Sequence, residues 1–389
     1  MKTLFTIFLL AGVLLSPVKA EEKAFVIGYL ELDSDPRYKE RYSEARYRGQ
    51  PWGRPFDGAK IALKEVRFAA ASAGVKFELK RKSAKDEAEL VAAMDTLISD
   101  GAEHVLIDAP ATAVNALAKY AAGKSVLLFN VSATDNSLRQ KQCRKNLLHI
   151  IPSRAMLMDA LAQHLVFNKW RKVLILQGPR PGDADIYQAF QRSAKRFGLK
   201  IVDTKPFKLG RDPRQRSRNN IALLTSGKDY DVVFVADSDG EFARAVPYQI
   251  QHPRPVVGSA GLVAEGWHWA WDRHGAPQLS RRFLRKSKRW MTAFDWSAWM
   301  AVKSLAEAVQ RTGSTEFTVL RPYLLGEDIV LDGFKGYPLS FRSWNNQLRQ
   351  PVFLTTGNWV VARAPLEGFL HDKNNLDTLG FDAREVKCQ

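Results

Sequence analysis

The sequence predicts an α/β protein that consists of two doubly wound parallel-sheet lobes. Short apolar strands alternate with helices of about 10 to 16 residues, and the alternation begins a second time near residue 171. Such a pattern is typical of right-handed βαβ crossovers and a parallel sheet. A chain of 389 residues with 46% apolar residues is also long enough for two domains, each with its own core.

The individual elements follow from the apolar periodicity. In the first unit we predict strands at 25–30, 76–80, 104–107 and 126–129, and helices at 57–73, 86–99 and 111–120. In the second unit we predict strands at 171–177, 200–202, 232–236 and 255–258, and helices at 184–196 and 219–226. Short connections near 140–153 and 260–272 carry the chain between the lobes.

The first twenty residues have the features of a secretory signal peptide. Lys2 provides a positive start, residues 4–15 form an apolar run, and Val18-Lys19-Ala20 is a small-x-small cleavage site. The run is shorter than the roughly 20 residues of a spanning helix, which disfavours the alternative of a membrane anchor. No cysteine is placed to carry a lipid, so we predict a mature protein free in the periplasm.

The mature chain is strongly basic. Cleavage after residue 20 removes Lys2 and Lys19, so the formal charge falls from +17 to +15. An exported protein meets little nucleic acid and no nucleic-acid-binding motif occurs, so the charge indicates a small anionic ligand or an acidic protein partner. A basic surface without a specific partner is the alternative.

Cys143 and Cys388 are the only cysteines, and both remain after cleavage. In an oxidising compartment, two such thiols more often form a disulfide than stay free. We therefore predict a bridge that closes a loop of about 245 residues. Two free, buried cysteines are the alternative.

Three segments resemble the type I periplasmic binding proteins of ABC importers, in the superfamily that binds branched-chain amino acids. They are VIGYL at 26–30, FDGAKIAL at 56–63 and AWMAVKSLAEAVQRT at 298–312. The resemblance implies a clamp with a three-strand hinge that works with ABC membrane components, and we expect a monomer. The insert at 38–51 departs from the family pattern. We expect lobe 1 at 21–140 and 272–335, lobe 2 at 141–271 and 336–365, and a C-terminal tail at 366–389.

Two longer stretches, 265–283 and 330–360, resemble a narrower branch, the binding proteins of quinoprotein alcohol dehydrogenase systems. That resemblance implies pyrroloquinoline quinone (PQQ) as the ligand, a planar tricyclic quinone with three carboxylates. Arginine forks bind carboxylates, and indole or guanidinium planes cover rings, so the basic charge and the ten tryptophans fit such a ligand. We expect PQQ as a bound ligand, no catalytic cofactor and no metal.

Six tryptophans fall between residues 267 and 299, and three of them alternate in the segment WHWAW. The alternation of Trp267, Trp269 and Trp271 is typical of a strand that presents three indoles on one face. We predict that this face binds a flat conjugated ligand. Packing of the face onto a helix is the alternative.

Ligand contacts are expected where the strands end, because open α/β sheets bind ligands beyond the carboxyl ends of their strands. Side chains of this kind follow several of the predicted strands, and backbone amides at a helix start also favour an anion. The predicted ligand-binding residues are Trp52, Arg54, Asn130, Ser132, Thr134, Arg180, Asp237 and Ser259. For each of them, a loop cap or a solvated charge is the alternative.

The sequence predicts a binding protein rather than an enzyme. The motifs H-E-x-x-H, C-x-x-C, G-x-S-x-G and G-x-x-x-x-G-K-[ST] are absent, and the seven histidines are scattered without metal-ligand spacing. Two other functions remain open. One is an importer protein for amino acids or aromatic acids, in which Asp237 holds an ammonium group; the other is a non-transport sensor or scaffold in a quinoprotein dehydrogenase system.

Overall fold

A computed structural model describes residues 23–38, 53–208 and 213–388 of the chain. The predicted signal peptide, most of the insert at 38–51, and Trp52 lie outside the described residues. Within the described ranges the strands form two parallel sheets and two small antiparallel sheets.

The described elements alternate as predicted. The strands are β1 (Lys23–Leu32), β2 (Val75–Ala84), β3 (His104–Asp108), β4 (Leu127–Asn130), β5 (Leu147–His149), β6 (Lys172–Gln177), β7 (Lys200–Pro206), β8 (Val232–Ala236), β9 (Val256–Gly258), β10 (Val263–Glu265), β11 (Leu331–Asp332), β12 (Pro338–Phe341), β13 (Leu348–Arg349), β14 (Val352–Thr355) and β15 (Val360–Ala364). The helices are α1 (Phe56–Ser72), α2 (Glu89–Ser99), α3 (Ala111–Tyr120), α4 (Arg154–Phe167), α5 (Pro181–Phe197), α6 (Arg216–Asn219), α7 (Ile221–Leu224), α8 (Val246–Gln249), α9 (Ala276–Ser287), α10 (Ala293–Thr312) and α11 (Phe317–Leu325).

Lobe 1 is built on a five-stranded parallel sheet with the strand order β2-β1-β3-β4-β5. Ile27 and Tyr29 of β1 point into a core shared with α1 and α10. Leu30 and Leu32 point to the opposite face, into a core shared with α2 and α3. Both faces of the sheet are therefore covered by helices, as parallel sheets require.

Lobe 2 repeats the arrangement with four parallel strands in the order β7-β6-β8-β9. The antiparallel sheet β10-β14-β15 packs with α4 and α5 in the same core. The predicted fold class, two parallel-sheet α/β lobes, is confirmed. The single helix predicted at 219–226 is wrong, because Asn220 adopts an extended conformation and its side chain accepts a hydrogen bond from the Leu223 amide at 3.1 Å. Asparagine favours such a cap and begins a new helix there.

Three hinge segments carry the chain between the lobes, at 150–153, 266–268 and 350–351. Each one joins an element of one core to an element of the other: β5 to α4, β10 to Trp267, and β13 to β14. By their contacts, β5 and β13 belong with lobe 1, whereas the predicted ranges for lobe 1 are 21–140 and 272–335. The reason is that β5 pairs with β4, and Leu348 of β13 lies in the lobe 1 core.

A buried lysine, Lys335, links all three hinge segments. Its Nζ donates hydrogen bonds to the carbonyl of Gly266 and, at 2.6 Å, to Oε1 of Gln350. The Gln350 amide in turn donates to the carbonyl of Ile150 at 2.5 Å. Nζ also lies 3.6 Å from the centre of the Trp296 ring, and burial lowers the pKa of Lys335 well below its ordinary value. The hinge is therefore a buried, hydrogen-bonded junction.

The predicted disulfide between Cys143 and Cys388 is confirmed. It fastens the C-terminal tail to the segment that precedes β5 of lobe 1. Before reaching Cys388, the tail packs against lobe 2, where the carbonyl of Gly380 accepts hydrogen bonds from Arg192 at 2.9 Å and Arg196 at 2.7 Å. The tail therefore contacts both lobes.

Candidate functional site

A cluster of arginines and carboxylates lies at the carboxyl ends of β1 and β3 in lobe 1. We call Asp35, Arg37, Tyr38, Arg54 and Asp108 the arginine cluster. Asp108 ends β3, and its carboxylate accepts a hydrogen bond from the Tyr38 hydroxyl at 2.7 Å and pairs with Nη1 of Arg54 at 3.3 Å. Arg37 pairs with Asp35 at 2.5 Å. The Arg54 guanidinium stacks over the Tyr38 ring, 3.9 Å from its centre.

The arginine cluster is held by ion pairs, and its two guanidinium groups are partly exposed to solvent. Asp35 and Asp108 have fully buried side chains, whereas those of Arg37 and Arg54 are 25% and 18% exposed. Burial and the Asp108 carboxylate raise the pKa of Tyr38 well above its ordinary value, so its phenol remains a neutral donor. Two guanidinium groups are therefore held in fixed orientations at the end of the sheet, and part of each is accessible.

The loop after β4 contains three of the predicted site residues, which occupy different environments. The amide of Asn130 donates to the carbonyl of Ala133 at 2.8 Å and its Oδ1 accepts from the Ala133 amide at 2.8 Å, so its side chain shapes the loop. Ser132 is buried, and its hydroxyl has no hydrogen-bond partner within the described ranges. The Ser132 carbonyl accepts from Arg37 at 2.9 Å, and Thr134 is half-buried.

Lobe 2 presents a second group of polar residues at the ends of β6, β8 and β9. Arg180 forms an ion pair with Asp239 and lies 3.9 Å from Oδ1 of Asp237. Oδ2 of Asp237 accepts hydrogen bonds from the amides of Phe242 and Ala243, and its own amide donates to the hydroxyl of Ser259 at 3.0 Å. The structure thus brings Arg180, Asp237 and Ser259 together.

The pKa values of the carboxyl groups of Asp237 and Asp239 are shifted in opposite directions. Burial, together with the neighbouring carboxylates of Asp239 and Asp183, raises the pKa of Asp237 to about 6. Burial alone would raise the pKa of Asp239 as well, but hydrogen bonds from the Glu241 amide and from Arg180 lower it. Asp239 is therefore the ionised partner of Arg180, and Asp237 titrates near neutral pH.

The predicted strand at 267–271 is wrong, because residues 268–271 form a turn closed by a hydrogen bond from the Trp271 amide to the His268 carbonyl at 3.1 Å. The three indoles therefore share no face. Trp267 lies in the lobe 1 core, 1% exposed and stacked on Trp296. Trp271 lies in the same core, with its Nε1 bonded to the carbonyl of Phe334 at 3.1 Å.

Trp269 remains half-buried and stacks on a tryptophan that the sequence analysis did not select. The ring centres of Trp269 and Trp290 are 4.3 Å apart with an angle of 20° between the planes. The preceding residue, Arg289, donates to the Arg54 carbonyl at 3.0 Å, so the indole pair is joined to the arginine cluster. His268 stacks on the indole of Trp269. Burial lowers the pKa of His268 to about 4, which keeps its imidazole neutral at pH 7.

Sequence reasoning missed Arg37, Tyr38, Asp108 and Trp290. Asp108 could have been found by the rule that selected Asp237, since Asp108 ends a buried strand and Asp237 directly follows one. Together the arginine cluster and the indole pair offer guanidinium donors for carboxylates and aromatic planes for a ring. Within the described ranges, no cluster of His, Cys, Asp or Glu is arranged to hold a metal ion, and no helix is both long and apolar enough for a membrane span.

Solved structures of similar fold are two-lobed binding proteins. An ABC transporter substrate-binding protein from Sphaerobacter thermophilus has 15% sequence identity and a TM-score of 0.72, over 92% of this chain and 100% of that one. A branched-chain amino acid transporter protein from Streptococcus pneumoniae, in complex with isoleucine, has 18% identity and a TM-score of 0.64, over 88% and 99%. A solute-binding protein from Rhodopseudomonas palustris, in complex with 3,4-dihydroxybenzoic acid, has 15% identity and a TM-score of 0.62, over 86% and 93%.

No curated protein sequence matches the chain significantly. At these low identities, the structural neighbours show the fold alone. A family model described as "Periplasmic binding protein" matches residues 48–246, about half of the 389 residues. The matched region begins just before α1 and ends at the start of α8, so it contains Arg54 and Asp108 of lobe 1 and Arg180 and Asp237 of lobe 2. The chain belongs to the periplasmic binding protein family.

Proposed function

We propose that this protein captures a small aromatic anion between its lobes, most specifically PQQ, and delivers it to an ABC importer or to another partner. The observation that carries the proposal is that Arg289, the chain neighbour of Trp290, donates to the Arg54 carbonyl at 3.0 Å, which brings the Trp269–Trp290 pair near the arginine cluster. Guanidinium groups pair with carboxylates, and the indoles cover a flat ring. A planar tricarboxylate such as PQQ requires both features in one site.

The available donors are sufficient for useful affinity. Each charge-assisted hydrogen bond contributes about 1.5–3 kcal/mol. Two or three of these bonds from Arg37, Arg54 and Arg180, with ring stacking, reach the roughly 8 kcal/mol of micromolar binding. Two structural neighbours from Rhodopseudomonas palustris are described in complex with benzoate and with 3,4-dihydroxybenzoic acid, which supports an aromatic acid as the ligand class.

The decisive experiment combines native mass spectrometry with calorimetry. Protein purified from the periplasm should retain a small molecule, whose mass identifies the ligand. Calorimetry should then show that PQQ binds to the wild type, and that Arg54→Met and Trp269→Ala each weaken binding by about tenfold or more, while Arg311→Met serves as a control. Arg311 is 66% exposed and pairs with Glu307, far from the cluster. If the wild type does not bind PQQ, the ligand is a different small anion.

A second candidate is an amino acid, favoured by Asp237. Its Oδ1 is buried and has no hydrogen-bond partner within the described ranges, so it is placed to accept from a ligand ammonium group. An amino acid would then bind through its carboxylate in lobe 1 and its ammonium in lobe 2. Asp237→Asn should abolish binding of such a ligand but leave binding of PQQ or dihydroxybenzoate within about threefold.

Location and mode of action can be tested separately. The family implies a periplasmic protein. We propose that export removes the leader, so N-terminal sequencing of periplasmic material should begin at Glu21. We also propose that the protein is a monomer that performs no chemistry, so bound ligand should be recovered unchanged. Small-angle scattering should show a more compact particle with ligand if the lobes close as a clamp; an unchanged particle argues for a sensor or scaffold without that motion.

A further inference from the structure

Two helices of lobe 1, α1 and α9, lie side by side and form a strongly charged surface next to the arginine cluster. They are antiparallel, because Arg282 in the middle of α9 pairs with Glu65 in α1, and Arg289 beyond the end of α9 bonds to Arg54 before the start of α1. Leu279 and Phe283 bury the inner side of α9 in the lobe core.

The outward side of this helix pair is almost entirely cationic. We define the basic face by its exposed cations Lys60, Lys64, Arg67, Arg281, Arg282, Arg285, Lys286 and Lys288. Two acids, Asp57 and Glu65, lie among them, and each pairs with one cation of the basic face, Lys60 at 3.2 Å and Arg282 respectively. Eight cations and two anions give the basic face a net charge of +6.

The basic face has the composition of an electrostatic contact rather than of a protein interface. Among the described residues of α1 and α9, Phe68 is the only large apolar side chain that is exposed. It is 75% exposed, and the guanidinium of Arg67 lies over its ring, 4.9 Å from the centre. Protein interfaces usually have an apolar, aromatic centre from which lysine is depleted. Clusters of four to eight Lys and Arg on a helical surface, by contrast, match a sheet of phosphate headgroups.

We propose that the basic face binds the surface of an anionic lipid bilayer. The contact depends on the charges of exposed side chains, because the apolar side of α9 is already buried in the lobe. Since α1 begins beside Arg54, the basic face flanks the arginine cluster, and a bilayer contact holds the cleft close to the membrane. This proposal is independent of the ligand's identity.

Vesicle binding tests the proposal with a charge-matched control. The measurement is co-sedimentation of the full-length mature protein with vesicles of phosphatidylcholine, with and without phosphatidylglycerol. The triple variant Arg281→Gln, Arg285→Gln and Lys286→Gln removes three cations from the basic face. The control, Lys195→Gln, Lys200→Gln and Lys228→Gln, removes three exposed cations from lobe 2 and leaves the same net charge. Thermal unfolding of both variants verifies that they are folded.

We expect the wild type to bind only vesicles that contain phosphatidylglycerol, and to be released as salt rises. Each cation at an anionic surface contributes roughly fivefold in partitioning, so the basic-face variant should bind about 100-fold less, and the control variant should bind as the wild type does. Equal loss in both variants overturns the proposal in favour of a net-charge effect. If the wild-type protein does not bind vesicles that contain phosphatidylglycerol, the proposal is also overturned. An acidic protein is then the partner that the basic face fits.

Discussion

The buried ion pair between Arg289 and Asp295 supports the arginine cluster from below, and we expect Asp295→Asn to lower the free energy of unfolding by about 3–5 kcal/mol. Nη1 and Nη2 of Arg289 donate to the two oxygens of Asp295 at 2.6 and 2.7 Å. The side chains are 4% and 0% exposed. The amide of asparagine carries no charge, so the substitution removes the buried counterion of Arg289 and leaves the partly exposed Asp57 carboxylate, 3.7 Å away, as its weaker ion pair.

The same carboxylate also caps α10, which adds to the expected loss. It accepts hydrogen bonds from the amide of Thr292 at 2.9 Å and from its hydroxyl at 2.7 Å. Loss of a helix cap alone costs about 1 kcal/mol. Loss of the buried counterion is therefore the larger part of the effect, and the arginine cluster should lose affinity for its ligand because Arg289 holds the Arg54 carbonyl.

Urea unfolding, monitored by tryptophan fluorescence, measures the change in the free energy of unfolding, provided that the variants have the same dependence of this free energy on urea concentration as the wild type. Asp57→Asn is the matched control, since Asp57 faces the same arginine at 3.7 Å but is 32% exposed. It should cost less than 1 kcal/mol, the range of surface pairs. The double variant Arg289→Met with Asp295→Leu should recover most of the stability, because a buried pair replaced by apolar groups is close to neutral. A loss below 1 kcal/mol in Asp295→Asn, or a double variant as unstable as the sum of its single changes, would refute the reasoning.

Three further predictions concern the disulfide, Asp237 and the hinge. Cys143→Ser with Cys388→Ser should lower the free energy of unfolding by about 5 kcal/mol, the chain-entropy value for a loop of 245 residues; an unchanged urea midpoint contradicts it. The pKa of Asp237 is raised to about 6 from an ordinary value of 3.8, so the wild type should lose stability relative to Asp237→Asn as pH rises from about 4 to 6, and parallel profiles in thermal unfolding argue against a raised pKa. Lys335→Met leaves the carbonyl of Gly266 and Oε1 of Gln350 without their donor, so ligand-free scattering should show a wider spread of lobe orientations; an identical particle would mean that backbone packing alone holds the hinge.

Most of the fold could be predicted from the sequence because parallel strands buried on both faces are uniformly apolar. The predicted limits of 232–236 and 111–120 are those of β8 and α3. The disulfide followed from a count of two cysteines and the compartment. The crossing after β13 could not be found in this way, because β12 and β13 are short strands whose lobe is decided by tertiary packing.

The site was harder to predict, because residues of the same type have different roles. The alternation of tryptophans at 267–271 has the period of a strand, yet the turn at His268 separates Trp269 from the two indoles that complete the core. Arg54 was predicted as a ligand-binding residue, and that stays a prediction; the sequence did not indicate that Asp108, distant in sequence, pairs with its guanidinium. Only the packing of β1 beside β3 brings these two residues together.

The bridge between Cys143 and Cys388 also decides which part of the protein can bear mechanical load. A force applied between a point before Cys143 and a point after Cys388 passes along the chain to Cys143, crosses the sulfur–sulfur bond and leaves at Cys388. Residues 144–387, which include the whole of lobe 2, lie within the covalent loop and carry none of that tension. Pulling on single molecules should therefore extend only the first part of lobe 1 while the disulfide is intact, and lengthen by the whole loop once it is reduced.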